Sequence, residues 1–149
     1  MLGKLIRNLS RDRGGAVAVM FALSATVLLG FVGLGAEVAL WYIDKRAAQG
    51  AADTAAYSAL IAYHAGDTAD FVATARAVAA QYGFIDAQGG MSVAVNQPPQ
   101  SGPHSSDPTA IEVVISAPEI PLFSKLFISA PGVAARAVAA SAAGAKLVE

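Results

Sequence analysis

The chain has 149 residues, a formal net charge of -1 at pH 7, 55% hydrophobic residues and no cysteine. That length holds one modest domain, or one membrane helix with a small soluble module. The near-neutral charge, with no basic stripe and interleaved aromatics beyond the first residues, excludes a nucleic-acid surface; the missing cysteines exclude a disulfide framework, a thiolate metal site and a thiol nucleophile.

In chain order the first element is a basic leader, residues 1–13, with Lys4, Arg7, Arg11 and Arg13 against Asp12 alone. Behind it, Gly14 to Ala36 is a run of 23 residues without a charge. At 1.5 Å per residue this covers ~34 Å, enough to cross a hydrocarbon core of about 30 Å with some tilt. A cleaved export signal has an apolar region of only about 7–15 residues followed by a small-x-small site. Here the Ala16-x-Ala18 pattern precedes the apolar core instead of following it. The segment therefore reads as a permanent anchor, a transmembrane helix over residues 14–43. Positive charge before the span and mixed charge after it place the N-terminus in the cytoplasm. The rest of the chain then faces outward, into the periplasm of a bacterium with two membranes. Trp41 and Tyr42 stand where amphipathic rings anchor a helix at the headgroup level.

Within the span, Ala18, Ala22, Thr26 and Gly30 recur every four residues and share one face, the geometry of small-xxx-small helix packing. Glu37 falls at the outer boundary, where a carboxylate needs water or a partner. It either reaches the headgroups or forms an ion pair that sets register against a neighbouring subunit.

Residues 44–84 are expected to continue the helix as a stalk and then form a second helix. The stretch after Tyr42 is rich in helix formers and free of proline, and Lys45, Gln49 and Asp53 share a polar stripe. His64-Ala65-Gly66-Asp67 is a stop signal, with Asp67 or Thr68 as the next N-cap. A helix over 69–82 follows, with Phe71, Ala75, Val78 and Tyr82 on one side and Gly83 at its end.

Residues 85–149 change to a period of two. Met91 to Val95 and Ala110 to Ser116 alternate apolar and smaller or polar residues, as half-buried strands do. A proline-rich loop, "NQPPQSGPHSSDP", separates them. Pro118 to Phe123 breaks the ladder and leads to a short apolar turn through Leu126 and Phe127. Residues 132–142 are compatible with helix by propensity; the strand assignment is favoured, giving about three antiparallel strands covered on one face by the second helix. The expected fold class is α+β.

Chemistry-bearing motifs are absent. His64 and His104 have no acidic or histidine companion at ligand spacing, and there is no nucleophile elbow, phosphate loop or dinucleotide fingerprint. No catalytic residue, metal, cofactor or small-molecule substrate is expected. The expected partners are membrane lipid and other membrane protein subunits that meet the transmembrane helix.

The basic-glycine start at Arg13-Gly14, the alanine- and leucine-rich span, Glu37, the Trp41-Tyr42 pair and Gln49-x-Ala51-Ala52-Asp53-x-Ala55-Ala56 together resemble the N-terminal module of Tad-type (Flp) pilus-assembly proteins, the TadE/TadG-like family. The resemblance covers roughly residues 11–60, and the outer helix and short strands are similar to the small periplasmic domain of such proteins. It implies a pilin-like fold and an inner-membrane structural or accessory subunit, minor-pilin-like, in assembly of an adhesive pilus. Many TadG-like proteins carry a von Willebrand A domain with an Asp-x-Ser-x-Ser metal motif; the motif does not occur here, so metal-dependent adhesion is not implied. The resemblance also makes Gly14 and Gly15 a possible processing site for a prepilin peptidase. Such peptidases typically require a glutamate five residues after the cut, and Val19 or Met20 stands there instead. The leader is therefore expected to stay attached. The alternative reading is a single-span accessory subunit that packs on another membrane complex through the Ala18 to Gly30 face.

Overall fold

The computed structural model describes residues 13–119, 121–126 and 132–141. The leader ahead of Arg13, the expected turn residue Phe127 and the chain after Ser141 lie outside the described residues. Helix α1 runs without interruption from Arg13 to His64, 52 residues and ~78 Å long. Helix α2 follows at Phe71–Gln81, then β1 at Ser92–Asn96, β2 at Ile111–Ala117, a 3-10 turn at Ser124–Leu126 and β3 at Val133–Ala139. The strands form an antiparallel meander in the order β1-β2-β3, with Val93 opposite Ile115 and Ile115 opposite Ala135. The architecture is α+β, and residues 133–139 are strand.

Helix ends follow the glycines. At the end of α1, Gly66 adopts φ +98°, its N–H donates to the Tyr63 carbonyl at 3.2 Å, and the Asp67 N–H donates to Ala62 at 3.1 Å. The same pair of bonds closes α2, where Gly83 at φ +91° donates to Ala80 and Phe84 donates to Ala79, both at 3.0 Å. Both are Schellman caps, in which a left-handed residue satisfies the last carbonyls. The start of α2 differs from the expected N-cap at Asp67 or Thr68. Asp70 takes that position, and the Asp67 carboxylate instead accepts the Asp70 N–H at 3.2 Å, spending its hydrogen bond on the turn.

The core is built around α1. Ala48, Ala51, Ala52, Ala55, Ala56 and Ala59 fall three or four residues apart on one face and are all buried. Against them lie Val93, Ile111, Val113, Ile115, Val133, Ala135 and Ala137 of the sheet, and Phe71, Ala75 and Ala79 of α2. The expectation that the second helix covers the sheet is corrected: α1 packs on β2 and β3, while α2 packs chiefly on α1 and meets the sheet mainly at β1. Alanine explains this. A face of methyl groups lets the sheet come close, and the strands supply the bulk that the helix lacks. Tyr63 and Phe71, edge to face with centroids 5.6 Å apart, close the helical corner.

The other face of the sheet carries Glu112, only 1% exposed. Its carboxylate accepts hydrogen bonds from the Asn96 side-chain amide at 2.8 Å, the Gln100 backbone N–H at 3.1 Å and the Arg136 guanidinium. Arg136 also donates to the Ser101 carbonyl at 2.6 Å, so the proline-rich loop is held over the sheet with Pro99 buried beneath it. Burial opposes the charge on Glu112, but these donors and the Arg136 charge outweigh it and hold its pKa below the ordinary carboxylate value. Edge strand β1 is covered too: Asp86 accepts the Val93 N–H at 2.8 Å and is paired with Arg76.

Candidate interaction site: the apolar half of the long helix and the turn docked on it

The N-terminal half of α1 has almost no partner among the described residues. Phe21, Leu29 and Val32 are each about 70% exposed, and Ala18, Ala22, Thr26 and Gly30 are exposed as well. The Thr26 hydroxyl donates to the Ala22 carbonyl at 2.9 Å, so its polarity is satisfied inside the helix and the face presents only small apolar surface. Gly14 and Gly15 lie in the first turns of α1, and Gly15 has open space around it. Among the described residues this is the one helix long and apolar enough to cross a membrane.

Glu37 interrupts the exposure. It is 3% exposed, and its two carboxylate oxygens accept four hydrogen bonds from one turn. The Leu122 N–H (2.9 Å) and Ser124 hydroxyl (2.7 Å) donate to Oε1, and the N–H groups of Phe123 and Ser124 (2.8 Å each) donate to Oε2. Three successive backbone donors at the start of the 3-10 turn form an anion-binding nest filled by the helix's own side chain. One turn of helix earlier, the Phe123 ring lies on Gly33: a β-carbon there would stand 2.9 Å from its Cε1 and Cζ. Within the chain, the Glu37 carboxylate is met by a segment 85 to 87 residues further along. No local pattern around Glu37 reveals this. The matching signal was remote, in a serine at the head of a short turn that needs an acceptor for its free N–H groups.

Trp41 is half-buried and lines a cleft of about 440 Å³ with Leu40, Phe84, Val133, Asp44 and Glu119. Burial, aided by the nearby Asp44 carboxylate, pushes the Glu119 pKa above its ordinary value. Tyr42 points away from the module, 59% exposed, with the Arg46 guanidinium 5.2 Å from its ring centroid. The anchor, aromatic and acidic residues therefore separate: Glu37 and Trp41 face the folded module, whereas Tyr42 and the Ala18 to Gly30 face do not. Among the described residues no three metal-binding side chains come together.

An exposed apolar helix long enough to cross a membrane continues, without a break, as the central helix of a small α+β module. Residues 15–81 match the Tad family, Flp pilus-assembly TadE/G-like. The family serves pilus assembly, a structural role, and the match covers nearly all of α1 and the whole of α2. Comparison with curated proteins and with solved structures gives no significant match.

Proposed function

We propose that the chain is a membrane-anchored structural or accessory subunit of Tad-type pilus assembly, minor-pilin-like. Its N-terminus faces the cytoplasm, α1 crosses the bacterial inner membrane once, and the sheet module stands in the periplasm. The observation that carries this reading is the division of one continuous helix: its first part is exposed and apolar, and its second part is the core of the folded module. The basic residues ahead of Gly14 support the orientation. Ala18, Ala22, Thr26 and Gly30 are the face offered to other membrane subunits, because close helix approach in lipid is favoured by small side chains.

Deletion of the gene is expected to reduce surface pili, and the tagged protein is expected to copurify with the pilus machinery. Normal piliation in the deletion strain, with no such copurification, would sink this proposal. Association with an unrelated membrane complex, released by Ala22→Leu and Gly30→Leu, would favour the accessory-subunit alternative.

A further inference from the structure

The turn that Glu37 holds is apolar where it is not bonded. Leu122 is 63% exposed and Phe123 47% exposed, and Lys125 beside them is exposed too. The surrounding sequence, "IPLFSKLFI" over residues 120–128, holds only one charged residue. In water this would be an apolar projection from the surface of the module. Its position on α1 supplies the explanation.

A hydrocarbon core of about 30 Å takes about 20 helical residues, so counted from Gly14 the core ends at Gly33. Gly33 is the residue on which the Phe123 ring lies. Glu37 follows ~6 Å further out, within a headgroup layer roughly 5–7 Å thick. If the outer boundary is set instead by Trp41 and Tyr42, Phe123 lies deeper still. Either count brings the turn to the bilayer surface.

The hydrogen bonding fits that depth. Free backbone N–H groups cannot enter apolar surroundings without acceptors, and a carboxylate cannot remain there without donors. Glu37 and the turn solve both problems together: four donors meet two oxygens, and the polar atoms are enclosed between helix and turn. What remains outward is Leu122, the Phe123 edge and a lysine able to meet phosphate.

We infer that the 121–126 turn is a second membrane contact, a wedge seated at the outer boundary between headgroups and acyl chains and latched to α1 through Glu37 and Gly33. Its partner is the lipid surface, reached in continuity with the exposed helix below it. The module is thereby attached at two points, and its sheet takes a fixed orientation to the bilayer. The inference rests on the reading of α1 as a membrane anchor.

The chain has no cysteine, so single cysteines can be labelled cleanly. The full-length protein, with an environment-sensitive NBD label at Leu122→Cys, is reconstituted in phosphatidylcholine–phosphatidylglycerol vesicles. Val27→Cys, within the span, and Ser105→Cys, in the proline-rich loop, serve as references. The expected result is blue-shifted emission at 122 and quenching by lipids brominated high on the acyl chain, with 27 also quenched and 105 not. If 27 is lipid-exposed but 122 behaves like 105, the wedge is overturned and the anchor stands. If 27 itself escapes lipid, the anchor reading falls and the wedge with it. Adding Ser124→Ala and Gly33→Leu to the 122-labelled protein should shift its emission to the red without changing the behaviour of 27; an unchanged 122 signal would overturn the latch.

Discussion

In the N-terminal half of α1, Ala18 and Ala22 are open to the surroundings; in the C-terminal half Ala48, Ala51, Ala52, Ala55, Ala56 and Ala59 have lost essentially all exposure. Both stretches place small residues on one helical face, and both belong to the same unbroken helix. What separates them is the partner. The outer face is matched within the chain by branched residues of β2 and β3, whereas the inner face has no matching surface among the described residues. Small side chains on a helix are therefore an opportunity for close approach, and the rest of the chain decides whether it is used internally or offered to another molecule.

The same substitution placed in each half tests this most strongly. Ala55→Leu drives a larger side chain into the sheet and should destabilise the module by about 1–3 kcal/mol, read as a lower melting midpoint of the purified full-length protein. Ala22→Leu should leave the stability within about 0.5 kcal/mol of wild type, as surface changes do, while weakening copurification with partner subunits. Equal melting losses at both positions would erase the distinction between the halves.

Comparable in size is Glu112→Gln, which keeps the shape but removes the charge met by Arg136 and the loop amides. A cost of about 1.5–3 kcal/mol is expected, the range for hydrogen bonds to charged groups. The pH dependence has a definite sign. Because the folded pKa of Glu112 lies below the unfolded value, its stabilisation is complete above the unfolded pKa of about 4.3 and is lost as pH falls through the folded pKa. Acid melting curves of the wild type and the Gln variant should therefore converge at low pH; a gap that stays constant would refute the assignment.

A smaller and local effect is expected at the latch between the halves. Ser124→Ala removes one of four donors to Glu37, and the Leu122 and Phe123 amides should exchange with solvent faster while β2 amides keep their protection. Uniform acceleration would mean that the turn is integral to the module rather than docked on the helix. The least perturbing measurement is the intact mass of the protein from membranes. It is expected to include residues ahead of Gly14, and a chain beginning at Gly15 or Ala16 would show pilin-like processing.

Much of the fold was legible locally. Gly66 and Gly83 end helices because left-handed backbone favours glycine, and the alternation in residues 92–96 and 111–117 marks strands because one sheet face is buried. The start of α2 was missed because Asp67 and Asp70 compete for the same role and only the turn geometry chooses between them. The alanines of residues 48–59 were legible as good helix formers, while their use as the floor of the sheet was hidden, since alanine carries little pattern of its own. That Glu37 needs a partner is legible locally; its donors lie more than eighty residues away and three of the four belong to the backbone, which side-chain sequence does not advertise.

The sequence by itself determined the apolar span, the helix stops, the strands and the absence of familiar catalytic motifs, because each depends on neighbouring residues and their period. Only the tertiary structure decided which helix carries the sheet, that Glu112 pins the proline-rich loop, and that Glu37 binds the 121–126 turn. These are contacts between distant segments, where close packing and the cost of an unpaired buried charge select the partner.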